Sequence, residues 1–443
     1  MKTKVLSKFF FLLEKDDFSL IYNARTNNFY KITASLAKII ENCEDEECIK
    51  NMDEEALALL DKMKVIVDEH EDEDYFESLK LKYYINQLAN NHLAVTVAPT
   101  VYCNLKCPYC YEHFKPTGKM TKEVCDAVVR FINDNPQTNS YSVTWYGGEP
   151  LLCIEEIEYI LEQLKESGQK KMTGHGIVTN GVLLKDKAIT LFKRFPLNSV
   201  QITLDGVKEH HDRTRIRHDS CGTFDEIIAN LTTFVRECPQ TRISIRVNID
   251  KSNANQFHEV KQYISALFPD KKNIQIYPGI LRGDTDCHSE NIFLQNKDVL
   301  KLYQSMAAKG VPIEIYPKLT QKGCTATCLM GFVIGPKGEL YNCWEDMGNE
   351  KLAVGNLIER KLKEKEMRRY ILHGHPFEDA KCKNCRIFPI CYGGCPKRRL
   401  ENIYRGGNNE LCSMYKDNDY EGLKNLLFEF YKNKETYKSL VKT

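Results

Sequence analysis

The stretch LAVTVAPTVYCNLKCPYC (residues 93–110) couples a strand to a thiol-rich loop, and its reading decides the rest. LAVTVAPT reads as a strand. Directly after it, Cys103, Cys107 and Cys110 fall in the spacing C-x3-C-x2-C. Thiolates are soft ligands that suit zinc and iron–sulfur clusters. Structural zinc takes four ligands, usually as paired C-x-x-C sets. This loop offers three cysteines and no fourth. Three thiolates on a cubane leave one iron open, and an open iron is useful only where a reactant must bind.

Working outward, five more strands follow: YSVTWYGG, TGHGIVTNG, SVQITLDG, RISIRVNID and NIQIYPGIL. Helical patterns such as TKEVCDAVVRFINDN, IEEIEYILEQLKES and TFDEIIANLTTFVREC lie between them. Six βα repeats predict an α/β fold with a parallel sheet and helices outside. Six is too few for a closed eight-fold barrel, so a partial (β/α)6 barrel is expected over residues 93–310. Special residues gather at the strand ends: Gly147-Gly148-Glu149, Thr179-Asn180-Gly181, Asp205-Gly206 and Asn248. In barrels of this type the C-terminal rim carries the chemistry.

Residues 1–92 read as a small α+β module. Strands and turns in VLSKFFFLLEKDDFSLIYNARTNNFYKI precede the helices ASLAKIIENC and DEEALALLDKMKVI. The acidic run at 69–74 reads as a solvated linker before the helix-like SLKLKYYINQLANNH. Residues 311–420 mix short strands with cysteines, and residues 421–443 hold an amphipathic helix docked back onto the body.

The chain has 443 residues and 18 cysteines, with 62 Lys+Arg against 61 Asp+Glu. Near-neutrality argues against a nucleic-acid binder driven by bulk charge. No apolar run spans a bilayer. The start MKTKVLSKFFFLLEKDD lacks a small-residue cleavage site, so a cytoplasmic protein is expected. There, clustered thiols bind metal more often than they form disulfides. The scattered Cys43, Cys48, Cys125, Cys153, Cys221, Cys238 and Cys287 read as buried small hydrophobes.

The three-cysteine loop after the first strand of a partial barrel, with an aromatic before its last Cys, resembles the signature of radical S-adenosylmethionine (radical SAM) enzymes. YGGEP resembles that family's GGE motif. TNG and TLDG…HDRTR (Asp205, His211, Asp212, Arg215) resemble the pattern of one of its subgroups. The resemblance implies contacts to S-adenosylmethionine from Gly147, Gly148, Glu149, Asn180, Thr203 and Arg246. It implies a [4Fe–4S] cluster on Cys103, Cys107 and Cys110. One electron passed to S-adenosylmethionine at the open iron then releases methionine and a 5′-deoxyadenosyl radical, which takes hydrogen from an unreactive C–H.

Further on, Cys382, Cys385, Cys391 and Cys395 stand as C-x2-C-x5-C-x3-C, Gly338 and Cys343 as G-x4-C, and Cys412 closes the set. This resembles the SPASM domain, which carries two auxiliary [4Fe–4S] clusters. The family pattern assigns Cys324, Cys328, Cys343 and Cys395 to auxiliary cluster I and Cys382, Cys385, Cys391 and Cys412 to auxiliary cluster II. With the loop cluster, that makes three. A zinc ribbon at 382–395 is the competing reading.

SPASM-type relatives include sulfatase maturases and maturases of ribosomally made peptides (RiPPs). The N-terminal module resembles a winged-helix peptide-recognition element that takes a leader peptide as an added strand. A packing role is its plain alternative. Trp344 follows Cys343 where sulfatase maturases carry an Asp that acts as base. Both features favour a RiPP maturase forming a thioether or C–C link on a precursor peptide with a leader, fed by flavodoxin or ferredoxin. Sulfatase-type oxidation and a non-catalytic iron–sulfur scaffold are the alternatives. The catalytic base stays unassigned.

Overall fold

A computed structural model gives the fold. It describes residues 3–15, 18–43, 46–110, 118–281, 292–308, 319, 323–416 and 420–433. By its contacts the chain forms two units. Leu88–Gln295 and Thr325–Leu372 make a barrel unit; Met1–Gln87, Asn296–Cys324 and His373–Thr443 make a terminal unit. This division cuts across the four consecutive segments read from the sequence. The cysteine-rich segment is shared between the units, and the N-terminal module belongs with the far end of the chain.

In the barrel unit, six parallel strands stand side by side in chain order: His92–Val97, Ser140–Trp145, Lys171–Thr179, Ser199–Leu204, Arg242–Ile249 and Ile274–Ile280. Gly331–Ile334 joins parallel to the first strand and leads into the short antiparallel strands Glu339–Tyr341, Gly355–Asn356 and Lys361–Leu362. The sheet is open, with Ile274–Ile280 at one edge and Lys361–Leu362 at the other. Each strand matches its sequence reading to within a few residues, because period-two alternation is strong here. Leu93, Val95, Val97, Val200, Ile202, Leu204, Ile243, Ile245 and Val247 are buried. Their alternates Ala94, Thr96, Ser142, Thr144, Gln201 and Thr203 are half-exposed. Small and polar side chains make up that face, unlike the bulky branched ones that fill a closed barrel.

In the terminal unit, Phe10–Lys15, Phe18–Asn23 and Asn28–Ile32 form an antiparallel sheet with Phe18–Asn23 in the middle. Alternation sends Phe10, Ile21 and Ile32 to one face, against Leu36, Ala37, Ile40 and Leu60 of the helices that follow. Phe11, Leu13, Leu20 and Tyr22 go to the other, against Ile387, Ile390, Leu423, Leu427 and Phe428. The C-terminal helix, Glu421–Lys432, therefore docks on the N-terminal sheet.

The acidic run is a correction. Instead of a linker it opens the helix Glu71–Gln87. Glu71 pairs with Arg25 at 2.8 Å and Lys64 at 3.1 Å, while Asp72 accepts from Ser7 Oγ at 3.0 Å and the Lys8 amide at 2.8 Å. Carboxylates also suit the positive end of a helix dipole. Farther along, Phe76, Leu79 and Tyr83 pack with Phe9, Phe377, Phe388 and Tyr392. Of the scattered cysteines, Cys43, Cys125 and Cys153 are buried as expected, whereas Cys221 is exposed in a loop. Cys287 and Tyr111 lie outside the described residues.

Candidate active site and cluster sites

The cysteine loop leaves the first barrel strand and is pinned on both sides. Thr100 pairs with Lys119 and Leu105 with Arg217 as isolated bridges, and the Lys106 amide donates to Ile216 O at 2.9 Å. Cys103 Sγ accepts from the Leu105 amide at 3.4 Å and from Asn180 Nδ2 at 3.7 Å. Burial pushes the Cys103 thiol up to about 12 and raises that of Cys107 as well. Buried thiols with N–H donors aimed at sulfur are suited to thiolates bound to a cationic cluster, because the donors stabilise anionic sulfur. The loop therefore fits the three-ligand cluster implied by its spacing.

Beside it lies the turn Gly147-Gly148-Glu149, after the second strand. A Cβ on Gly147, whose φ is +114°, would meet Thr100 O at 2.2 Å, and one on Gly148 would meet Tyr102 O at 2.2 Å. Only glycines let this turn lie against the chain leading into Cys103. The Gly148 amide donates to Thr100 O at 3.1 Å and the Glu149 amide to Tyr102 O at 3.0 Å. The Glu149 carboxylate is fully buried and points inward. It accepts from Thr179 Oγ1 at 2.8 Å, the Asn180 amide at 2.8 Å and the Leu151 amide at 3.1 Å. Burial raises its pKa, against the pull of these donors. Glu149 thus clasps the third strand end to the second.

Asn180 Nδ2 also donates to Asn104 Oδ1 at 2.7 Å, tying the third strand end to the cysteine loop. Thr203 and Arg246 are register neighbours on adjacent strands, on the polar, half-exposed face. Arg246 Nε donates to Asn248 Oδ1 at 2.9 Å.

A buried network completes the rim. The Tyr109 hydroxyl, from between two cysteines, donates to Asp205 Oδ2. It accepts from Arg215 Nη1 at 3.1 Å and Asn248 Nδ2 at 3.2 Å. Behind it, the Asp205 amide donates to His211 Nδ1 at 3.3 Å, and His211 Nε2 lies 3.1 Å from Thr223 Oγ1. The Thr223 hydroxyl donates to Arg215 O at 2.7 Å, so His211 Nε2 is the donor to Thr223 and the ring is neutral. Asp212 accepts from the Thr223 and Phe224 amides, capping the helix Phe224–Glu237. His211 and Arg215 are thus buried and structural, whereas Asp212 and Thr214 are half-exposed and Arg213 is exposed. The role of Tyr109 as keystone was not legible beforehand; its place between the cysteines was the one available signal.

The auxiliary cysteines separate into two cases. Cys382, Cys385, Cys391 and Cys412 all line one cavity of about 320 Å³ in the terminal unit. Among the described residues, no three Cys, His, Asp or Glu side chains converge on a single-ion site. Four thiols around a cavity suit a multi-iron cluster better than a zinc ion. The second group divides evenly: Cys324 and Cys395 belong to the terminal unit, Cys328 and Cys343 to the barrel unit. Next to Cys343, the half-exposed Trp344 stacks on Tyr146 with ring centres 5.6 Å apart. Asp346 is buried and accepts from the Tyr370 hydroxyl.

An open parallel barrel with a three-cysteine loop on its rim defines a class, and residues 97–264 match the model of the Radical SAM superfamily. The chain thus carries a radical SAM domain over these residues. It is 25% identical over 342 residues to a cysteine-type anaerobic sulfatase-maturating enzyme of Clostridium novyi, spanning 71% of this chain and 90% of that protein. Its fold resembles anSMEcpe solved with AdoMet and a Cys peptide, at TM-score 0.60 and 20% identity over 79% of this chain and 99% of the other. It also resembles Streptococcus suis SuiB bound to S-adenosylmethionine, at TM-score 0.53 and 14% identity over 92% of this chain and 99% of the other. SuiB has also been solved bound to the precursor peptide SuiA.

Proposed function

We propose that this enzyme is a peptide maturase that holds its substrate's leader along the free edge of the strand Phe10–Lys15 and forms a thioether or C–C link in the core peptide. Three [4Fe–4S] clusters, on the cysteine sets named above, and a flavodoxin- or ferredoxin-type donor belong to this reading, as does a cytoplasmic location. When bound, the loop cluster and S-adenosylmethionine supply the radical. The residues of the chain position them: Cys103, Cys107 and Cys110 as ligands, and Gly147, Gly148, Glu149, Asn180, Thr203 and Arg246 around the ligand.

The observation that carries the reading is the strand edge. The Ala24 amide donates to Phe9 O at 2.7 Å, so odd-numbered residues of this strand bond to Phe18–Asn23. Phe10, Leu12 and Glu14 then turn their backbone groups outward. Arg386 Nη2 already donates to Phe10 O at 2.5 Å. A cavity of about 440 Å³ runs here, lined among others by Leu12, Glu14, Ile40, Glu41 and Lys424. An edge strand bordered by two helices is suited to taking an extended peptide as a further strand. The neighbouring Glu14 raises the pKa of Glu41 at the mouth, an arrangement that would favour a basic side chain on the guest. The larger share of this chain covered by SuiB than by anSMEcpe agrees.

A sulfatase-type oxidation is the second reading, favoured by the sequence relatives. Against it stand Trp344 in place of an acid and the engagement of Asp346 with Tyr370.

Deleting residues 1–90 would strip the cover from Ile387, Leu423 and Leu427, so a point variant is the cleaner test. Leu12→Pro removes one outward N–H and blocks strand addition without breaking a sheet hydrogen bond. With a cognate precursor peptide, sought among the neighbouring genes, L12P should lose at least about tenfold in product by mass, equivalent to ~1.4 kcal/mol. Uncoupled 5′-deoxyadenosine formation should persist, and Leu12→Ala should keep most of the peptide turnover. Equal peptide turnover by a folded L12P would rule out docking at this edge.

A further inference from the structure

We propose that Arg399 is a positioning residue that raises the reduction potential of a cluster held by Cys382, Cys385, Cys391 and Cys412, through its contact with the Cys382 sulfur. The inference rests on the reading that these four thiols hold a cluster.

Arg399 lies on the helix Pro396–Tyr404 and is only 5% exposed. A buried guanidinium needs its charge and donors matched. Nη1 donates to Asp379 Oδ2 at 2.7 Å, and Nη2 donates to Gly393 O at 2.8 Å. These two partners would suffice to anchor it. Nη2 nevertheless also points at Cys382 Sγ, 3.7 Å away. Gly393 helps to fix this aim: its φ is +77°, and a Cβ there would meet Pro376 at 2.1 Å. A planar fork pinned at two points can present a third donor without further loss of freedom.

A charge-assisted N–H donor on a ligating sulfur stabilises the more negative, reduced state of a cluster. Asp379 works in the opposite direction. Its carboxylate, bonded to Arg399 Nη1 at 2.7 Å and three residues before Cys382, sets a negative charge against that of the guanidinium. Asp379 also accepts from the Lys381 amide at 2.9 Å, capping the short helix that carries Cys382. The pair therefore sets the local charge at one sulfur with two residues of opposite effect.

The test uses full-length protein reconstituted anaerobically with iron and sulfide. Iron per chain is measured, followed by a redox titration monitored by EPR, with the cluster in question identified as the signal missing from Cys382→Ala. Arg399→Gln should keep its iron. At the wild-type midpoint, the ratio of reduced to oxidised cluster should fall about tenfold, a shift of ~59 mV to lower potential for a one-electron couple. Arg399→Lys, which keeps the charge without the fork, should shift less. Asp379→Asn, which keeps a capping side chain, should shift the midpoint upward. Should R399Q lose iron, R399K and D379N carry the test by the same readout. Unchanged midpoints, or shifts of the same sign in R399Q and D379N, would overturn the proposal. Full iron retention in Cys382→Ala would instead overturn the ligand assignment on which it rests.

Discussion

The rim loop and the cavity at Cys382 solve the same problem in opposite ways. At the rim, three thiols come from one short loop, and the turn around Gly148 lies directly against the chain leading into it. In the terminal unit, four thiols drawn from 31 residues of chain close around a cavity and bring an Arg to one sulfur. Three ligands would leave a place for a reactant. Four ligands with a charged donor leave none, and what remains adjustable is the potential. On the proposed cluster assignments, the difference would separate a site for binding chemistry from one for holding or passing electrons.

The largest effect expected from this contrast lies at the rim. Replacing Cys103, Cys107 and Cys110 together by Ala should abolish reductive cleavage of S-adenosylmethionine, measured as 5′-deoxyadenosine, while most iron stays on the protein. A triple variant that still makes 5′-deoxyadenosine would erase the distinction. Next, Cys412→Ala opens the four-thiol set. It should lower iron by about four per chain while uncoupled cleavage at the rim persists. Mössbauer spectra would show whether one complete cluster has gone; a loss of zinc instead would restore the ribbon reading.

The sequence was informative where the signal is local. Leu93, Val95 and Val97 alternate with small polar residues, so the barrel strands could be read directly. The cysteine spacing and glycine turns sit within a few residues of one another. The acidic run was misread because two of its partners, Arg25 and Ser7, are distant in the chain and leave no mark on the run itself. The docking of Leu423 and Leu427 on Phe11 and Leu20 was foreseen only as a helix returning to the body. Pairings across some 400 residues have no period to detect. Glu149 was singled out as a contact to S-adenosylmethionine; that two of its three inward bonds come from Thr179 and Asn180 is something no local pattern announces.

The smallest effect compares the two units through their buried histidines. In the barrel unit, Trp145 Nε1 donates to His175 Nε2 at 2.9 Å, and His175 Nδ1 lies 3.2 Å from Pro196 O. This ring is neutral, as is that of His211. Burial lowers His175 to about 4 and His211 to about 3, from 6.5. The unfolded chain binds a proton at each below about pH 6.5, whereas the folded chain does so only near their lowered values. Their stabilising effect is thus complete above pH 6.5 and fades as pH falls toward 3–4, at up to ~1.4 kcal/mol per pH unit for each. In the terminal unit, burial also lowers His375, bonded to the Tyr84 hydroxyl at 2.8 Å. One such group against three, since burial lowers His92 of the barrel unit as well, predicts that the barrel unit weakens faster with acid. Both tryptophans, Trp145 and Trp344, belong to the barrel unit, so tryptophan emission follows that unit alone. Its urea midpoint should fall between pH 7 and pH 5. His211→Gln should start lower, by about 1–3 kcal/mol for the bonds it disturbs, and show a flatter pH dependence. An equal slope in wild type and variant would mean that His211 is protonated in the folded barrel, which would contradict its bonds to the Asp205 amide and Thr223.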